Sequence, residues 1–167
     1  MPATAAAMRK RVVSVGASQI QIPRGLGQIT RDSFFIYAQN FTFVGNDNQQ
    51  AAIAIQADAH FICVMTMYDT NIAAVGGFGA GVNAQFGGAL VLITDGSQRN
   101  LSNIAVPVST LFGTAQRPYV WPFTHLFRAN APITLSVTGI VAATAQTIRL
   151  CFGGFKVPIG SLPELGL

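Results

Sequence analysis

The chain has 167 residues, of which 50% are hydrophobic and only 10% are charged, and its formal net charge at pH 7 is +4. Soluble domains usually carry about a quarter charged residues, and large uncharged surfaces usually mark contacts with other molecules. The composition therefore excludes a well-hydrated solitary monomer, and we expect extensive burial between subunits. A membrane is not expected, because Asn83, Gln85 and several glycines interrupt the most apolar stretch, residues 72–93, below the roughly 20 residues of a spanning helix.

Residues 1–31 are expected to form a basic N-terminal arm, either extended or made of short edge strands. Arg9, Lys10, Arg11, Arg24 and Arg31 are half of all the basic residues, and Gly and Pro break any periodicity. Polar residues dilute the apolar core that a signal peptide would need, so we expect none. The arm could contact an acidic patch of a partner protein, neutralise phosphates or stay solvated. Nucleic acid is the less favoured partner, because no aromatic residue is interleaved to stack on bases.

Residues 32–167 are expected to form one β-rich body. Segments rich in aromatic and β-branched residues alternate with Gly, Asn, Asp and Pro turn signals, and no window has the spacing and capping of an amphipathic helix. The pattern predicts seven to nine short strands in an antiparallel sandwich or barrel. The predicted strands are Phe34–Phe43, Ala51–Asp58, His60–Tyr68, Ala89–Thr94, Ile104–Val108, Pro118–Pro122, Leu126–Ala129, Ile133–Gly139 and Thr147–Val157.

Three of these segments allow a finer prediction. His60–Tyr68 is almost continuously apolar, which indicates a strand covered on both faces and ended by Asp69 and Asn71. Ile133–Gly139 and Thr147–Val157 instead alternate apolar and polar residues, which is typical of strands with one face on a core.

Residues 74–88 form an uncharged, Gly-rich insertion in which Phe78 and Phe86 are the only large side chains. Its segment Gly79–Ala84 matches the dinucleotide pattern G-x-G-x-x-A, but that fingerprint requires a helix directly after it. Here Gln85 and Phe86 are followed by two more glycines, so we expect no cofactor. Glycines permit close backbone approach, and an interface loop is the preferred interpretation.

Groups with catalytic or metal-binding chemistry are sparse. His60 and His125 are the only histidines, and neither a metal-ligand spacing nor a G-x-S-x-G nucleophile motif occurs. We therefore expect no enzyme, no metal and no cofactor; Asp58 and His60 would be the first residues to test for any turnover. Cys63 and Cys151 are expected to be buried free thiols rather than a disulfide.

The segment Arg117–Pro132 concentrates aromatic residues between prolines. Tyr119, Trp121, Phe123 and Phe127 can fill a core or pack against another subunit. The prolines restrict this segment to an edge strand or a bulge. Tyr119 with Trp121 is also the only plausible aromatic platform for a sugar.

Residues 117–157, with the strings RPYVWPFTHLFRANAPITLSVTG and TIRLCFGGFKVP, resemble the C-terminal pattern of small structural proteins of tailed-bacteriophage particles. In that pattern a Pro-Phe strand precedes an alternating apolar and Ser/Thr strand and a final strand R-L-x-F-x-G-x-K. The resemblance implies a jelly-roll-like β-sandwich that decorates or cements a capsid lattice, or lines a neck or tail. The insertion at residues 76–88 departs from the pattern.

The resulting hypothesis is a non-enzymatic virion structural protein, a capsid decoration or cement subunit that stabilises the head lattice. Its expected partners are the major capsid protein or other virion proteins and further copies of itself, as a dimer or trimer. We expect assembly in the host cytoplasm and residence in the virion. The residues predicted to contact partners are Arg9, Lys10, Arg11, Arg24, Phe78, Phe86 and Trp121. The alternative is a tail, neck or baseplate module that binds a receptor or glycan.

Overall fold

The computed structural model describes residues 11–15, 18–22, 33–72, 88–140 and 145–159. Strands dominate these ranges because aromatic and β-branched side chains pack well on a pleated, half-buried surface. The elements are β1 (Arg11–Val15), β2 (Ser18–Ile22), β3 (Phe34–Val44), β4 (Asn48–Ala54), β5 (Ala59–Ile72), β6 (Ala89–Thr94), β7 (Val106–Pro107), α1 (Val108–Leu111), β8 (Gly113–Thr114), β9 (Tyr119–Phe127), β10 (Pro132–Gly139) and β11 (Ala145–Pro158).

Two sheets face each other with the strand orders of a jelly roll. One sheet has the order β4-β10-β6-β7, and the other has the order β3-β11-β5, with β9 beside β5 and the short β8 parallel to β5. The chain passes from β3 in one sheet to β4 in the other, returns in β5 and crosses again to β6. This back-and-forth course is the double Greek-key path of a jelly roll. The predicted all-β, jelly-roll-like sandwich is therefore confirmed.

The main core lies between the inner faces of the two sheets. Strands β10 and β11 each contribute three residues with no exposed surface: Ile133, Leu135, Val137, Ile148, Leu150 and Phe152. Thr134, Ser136 and Thr138 of β10 and Thr147, Arg149 and Cys151 of β11 are only partly buried, so the predicted alternation is confirmed for β10 and for β11 as far as Phe152. It stops at Gly153 and Gly154, which are both buried. Each such aliphatic or aromatic side chain contributes about 1.5–3 kcal/mol when it is removed from water.

Aromatic rings pack against one another along the inner face of the sheet that contains β3, β11 and β5. Tyr37 of β3 meets Phe61 of β5 edge to face at 4.9 Å between ring centroids, and Phe112 meets Phe152 of β11 in the same way at 5.5 Å. Edge-to-face contacts place the positive ring edge on the negative ring face, which adds about 0.5–1.5 kcal/mol to the area effect. Aromatic packing therefore helps to fix the relative positions of these strands.

Strand β5 is buried on both faces, as its apolar run predicts. Phe61 and Cys63 point into the main core, whereas Ile62, Val64 and Met65 belong to a second apolar cluster. Cys63 and Met65 pair with consecutive residues of β11, so Val64 is an extra, bulged residue. A bulge shifts the inward and outward alternation by one position, which explains why no regular alternation is visible in this part of the sequence.

Two predicted boundaries in the long strands are wrong. Strand β5 does not end at Asp69 and Asn71, because both residues pair with β11 and the strand continues to Ile72. The segments Pro118–Pro122 and Leu126–Ala129 are not separate strands but lie in and around the single strand β9. The polar residues and the proline were interpreted as turn signals. In the structure the polar residues pair within β5, and the proline lies in a bulge of β9.

Two further segments also differ from the prediction. The segment Ala51–Asp58 forms a strand only as far as Ala54, although Ile53 and Ile55 are buried as expected. The segment Ile104–Val108 contains the two-residue β7, followed by the single helical turn α1. The sequence does not predict this turn because four residues are too few to display a helical period.

The described part of the N-terminal arm is a hairpin. Strands β1 and β2 pair antiparallel with each other in a two-stranded sheet, with Val13 opposite Ile20 and Arg11 opposite Ile22. Short edge strands were one of the two predicted forms of this region. The division into an arm of residues 1–31 and a body of residues 32–167 stays a prediction.

Two adjacent glycines of β11 provide a matched test of the β5 bulge. A Cβ on Gly154 would overlap the main-chain carbonyl of Ile62, whereas a Cβ on Gly153 would lie 3.0 Å from Cγ of the flexible Met65 side chain. We expect Gly154→Ala to reduce the free energy of unfolding by about 3 kcal/mol, because the main chain cannot yield. Gly153→Ala should cost clearly less. Urea unfolding of both variants measures the difference, and equal losses would contradict the assigned bulge geometry.

Candidate subunit-contact surface

Strand β9 is an edge strand with a large bulge. It pairs only with β5 among the described strands, and Val120 and His125 lie opposite Met65 and Cys63. The residues from Trp121 to Thr124 therefore stand opposite Val64 alone. Pro122 lacks an N–H for a ladder hydrogen bond, and prolines are tolerated in sheets at edges and bulges. The predicted edge or bulge position of this segment is confirmed.

The bulge exposes one aromatic side chain to solvent. Phe123 is 85% exposed, more than the other large hydrophobic residues of the described chain. Pro122 and Thr124 on either side of it are exposed as well. Phe123 therefore presents a large apolar side chain of the kind that serves as an anchor when another molecule covers it.

Trp121 anchors the bulge to the body. Its indole is partly buried against the main core, and its Nε1–H donates a hydrogen bond of 3.1 Å to Oγ1 of Thr66. The Thr66 hydroxyl in turn donates to the carbonyl of Leu111, which ends α1. Buried side chains in a satisfied hydrogen-bond chain lose little further entropy on binding. The bulge is therefore a preorganised support for Phe123.

His125 lies beneath the bulge between aromatic rings. Its ring packs on Phe127 at 4.5 Å and lies 6.1 Å from Trp121. Its Nε2 is 3.9 Å from Oδ2 of Asp95, which is too long for a hydrogen bond. Burial lowers the pKa of His125, and the opposing effect of Asp95 is smaller. The imidazole is therefore neutral at pH 7 and fills space in the support of the bulge.

Asp95 organises the turn after β6. Its Oδ1 accepts hydrogen bonds from the main-chain N–H groups of Ser97 at 2.9 Å and Arg99 at 3.0 Å. Its Oδ2 accepts two bonds from the Arg99 guanidinium, at 3.2 and 3.1 Å. Burial by itself would raise the pKa of Asp95, but these hydrogen bonds and the charge of Arg99 lower it overall. The carboxylate of Asp95 therefore stabilises this turn.

The second histidine also has a structural partner. Nδ1 of His60 accepts a hydrogen bond of 3.1 Å from the main-chain N–H of Ala129. Burial and then the nearby charge of Arg128 lower the pKa of His60. The bond connects the start of β5 to the turn that precedes β10. Asp58 lies exposed in the turn before β5.

Both cysteines are free thiols, as expected. Cys63 is fully buried, and burial raises its pKa to about 12 against the smaller effect of a hydrogen bond to the Met65 carbonyl. Cys151 is only partly buried, which departs from the expectation. Burial raises the pKa of Cys151, with Arg149 acting against it and Asp69 adding to it. Neither thiol has the lowered pKa of a reactive cysteine.

The structure describes few of the residues that the sequence assigns to partner contacts. Arg9, Lys10, Arg24, Phe78 and Phe86 lie outside the described ranges. Arg11 is the first residue of β1. These assignments stay predictions.

Trp121 is the one predicted contact residue whose side-chain environment is described, and it lies partly inward. Phe123 was predicted in the same aromatic run to fill a core or pack against another subunit, but only Trp121 of that run was assigned to a partner contact. A strand with perfect alternation would place both on the same face. The bulge breaks that alternation, and Pro122 between the two aromatics was the only available signal for it.

No group of three or more His, Cys, Asp or Glu side chains in the described ranges could hold a metal ion. None of the helices in the described part has the length and apolarity needed to cross a membrane.

Comparison with known proteins gives one distant structural similarity. No protein-family model matches the chain, and no curated protein matches it significantly. A solved structure of infectious bursal disease virus, Gt strain, is matched at 10% sequence identity and a TM-score of 0.20. The match covers 94% of this chain and 48% of that chain, so this chain spans about half of it. None of these findings concerns tailed bacteriophages, and that resemblance stays a prediction.

Replacing Asp95 with Asn tests the turn that lies against His125. The folded state lowers the pKa of Asp95 below its ordinary value of 3.8, so its contribution is present above that pH and is lost as the pH falls through the folded pKa. We expect Asp95→Asn to reduce the free energy of unfolding at pH 7 by about 1 kcal/mol, because the Arg99 side chain is 72% exposed and pairs weakly.

The comparison is made by urea unfolding at pH 7 and at the lowest pH where the chain stays folded, with the exposed Asp58→Asn as control. The difference between Asp95→Asn and the unchanged chain should shrink towards acid pH. A loss of equal size at both pH values would show that the charge of Asp95 has no role.

Proposed function

We propose that this chain is a non-enzymatic structural subunit of a virus particle, of the decoration or cement type. The observation that carries the proposal is Phe123, an almost fully exposed phenylalanine on a rigid edge bulge of a weakly charged jelly roll. Jelly rolls are frequent among viral capsid domains, although a fold alone does not define a function. The exposed apolar surface adds the reason for assembly, because burying it in a lattice removes it from water.

The proposed mechanism is stabilisation by mass action. A subunit that binds only the assembled shell lowers the free energy of that shell relative to its separated parts. The expected partners are the major capsid protein or other virion proteins, and further copies of this chain. We place the protein in virions assembled in the host cytoplasm, with tailed bacteriophages as the setting that the sequence resemblance favours.

A second exposed apolar residue, Ile104, lies on the same side of the sandwich as Phe123. Ile104 is 64% exposed and lies shortly before β7, the edge strand of the other sheet. The turn α1 follows β7 directly and leads into β8, which pairs with β5 on the side of β9. The β7 and β9 edges therefore form one side of the body, and we propose that this side faces the shell.

The alternative of a glycan-binding module receives less support from the geometry. Tyr119 and Trp121, the expected platform, are both partly buried, and the indole N–H of Trp121 is bonded to Thr66. The exposed aromatic is Phe123, which has no polar group to orient a sugar hydroxyl. A contact with an apolar protein surface suits this residue better.

Phe123→Ala tests the proposed contact, with Thr124→Ala as the matched exposed control in the same bulge. We expect Phe123→Ala to weaken binding to virus particles stripped of this protein by about thirtyfold, the effect of losing about 2 kcal/mol at an aromatic hot spot. The unfolding midpoint should not change, because the side chain is exposed. Co-sedimentation with stripped particles measures the affinity, and wild-type binding by Phe123→Ala would refute the role of the bulge.

Deletion of residues 1–20 tests the arm. If the arm clamps neighbouring subunits, the shortened chain should fail to attach to shells while its near-ultraviolet circular dichroism stays that of the folded sandwich. Co-sedimentation with the same stripped particles gives the readout. Attachment at full-length affinity would remove the arm from the mechanism, whatever the result for Phe123.

A further inference from the structure

We propose that the open edge of β3 is a self-association site, at which a second copy of this chain pairs antiparallel over Phe34–Ala38. The two copies would be related by a twofold axis next to Ile36, so that the five-stranded sheets join into one. This inference deepens the proposed function by naming a surface for self-association. Its test uses the purified chain alone, so it can succeed or fail independently of any binding to virus particles.

Strand β3 has a partner on one side only. It pairs with β11 along its whole length, from Val44 opposite Ala145 to Phe34 opposite Phe155, and β11 is its only ladder partner among the described strands. An edge strand presents a row of main-chain N–H and C=O groups that can pair with another strand. At eleven residues, β3 is a long edge.

Side chains already cover the second half of this edge. The side-chain amide of Gln39 donates a hydrogen bond of 3.1 Å to the main-chain carbonyl of Asn40. The side-chain amide of Gln49 donates a hydrogen bond to the main-chain carbonyl of Thr42. Gln49 belongs to β4 and not to β11, so the Thr42 carbonyl is turned away from β11. These bonds occupy main-chain acceptors that an incoming strand would need.

The first half of the edge has the matching orientation. Alternate residues of an antiparallel strand direct their main-chain groups to the same side. Phe34, Ile36 and Ala38 occupy the same set of alternate strand positions as Asn40 and Thr42. Their N–H and C=O groups are therefore also directed at the open edge. Their side chains are exposed on the outer face, with Phe34 at 39% and Ile36 at 44%. This stretch is therefore the part of β3 available for strand addition.

The sequence of this stretch suits pairing with itself. Natural edges are usually protected by charged residues, prolines or bulges, and Phe34–Ala38 (FFIYA) contains no charge and no proline. In a symmetric antiparallel pair Ile36 meets Ile36 of the second copy, and Phe34 meets Ala38. No like charges meet, and each large side chain lies opposite an apolar one.

The outer face next to the edge is apolar as well. Phe34 packs edge to face on Phe155 at 5.6 Å, and Phe155 packs against the second apolar cluster around Ile62 and Val157. A twofold axis perpendicular to the sheet places this face of both copies on the same side. The pairing would therefore join the two apolar clusters through Phe34 and Ile36.

The size of the contact sets its expected strength. Five paired residues per copy bury less than the roughly 1,200–2,000 Å² of a stable interface. The dimer should therefore be concentration-dependent in solution and gain strength where neighbouring contacts raise the effective concentration, as in a shell.

Disulfide trapping tests the register directly. Across the axis, the Cα atoms of a hydrogen-bonded antiparallel pair lie about 5.5 Å apart, within the range that a disulfide spans. We expect full-length Ile36→Cys, made together with Cys151→Ser to remove the nearby half-buried thiol, to form mainly covalent dimers under mild oxidation. The control, Ala57→Cys with Cys151→Ser at an exposed position in the turn before β5, should stay monomeric on a non-reducing gel. The proposal would be overturned if Ile36→Cys formed no more dimer than the control. The same result is expected if the chain's own arm covers this edge, so that case would overturn the proposal as well.

Sedimentation provides a second readout that needs no added thiol. We expect Ile36→Lys to abolish the concentration-dependent rise in sedimentation coefficient, since two lysines would meet at the axis, whereas Ala57→Lys should preserve it. Near-ultraviolet circular dichroism confirms that both variants are folded. Dimerisation of Ile36→Lys equal to that of Ala57→Lys would place the self-contact elsewhere.

Discussion

The position of β11 between β3 and β5 is the constraint on which the rest of the structure depends. This last strand pairs with β3 on one side and β5 on the other, and it places Ile148, Leu150 and Phe152 at the centre of the core. Its pairing partners lie about a hundred residues earlier in the chain, so the sheet closes only through long-range contacts. Such topologies fold slowly because the entropy of closing the chain is lost before the contacts form.

Several distant features follow from this one placement. Because β11 pairs with one lateral edge of β3, the other lateral edge of β3 has no partner among the described strands and remains open. Because Gly154 allows the Ile62 main chain to approach, β5 acquires its bulge, and the bulge turns Met65 to the outer face. The same bulge lies opposite the extra residues of β9, which carry Trp121 inward and Phe123 outward.

Several polar groups of the described body form hydrogen bonds that stabilise the fold. Asp95 directs its carboxylate to the turn after β6, His60 accepts from the Ala129 main chain, and Thr66 joins Trp121 to α1. Each bond offsets the cost of burying a polar atom. The two proposals depend instead on exposed apolar side chains, Phe123 for the first and Ile36 for the second.

From the sequence one can predict the all-β class, the alternating faces of β10 and β11, the double burial of β5 and the edge character of β9. These follow from local periodicity and from proline, which act through neighbouring residues alone. Tertiary structure decided the strand order, the continuation of β5 past Asp69, the merging of two segments into β9 and the turn α1. It also decided that Phe123 and not Trp121 is exposed, because a bulge depends on the opposing strand, which the local sequence does not contain.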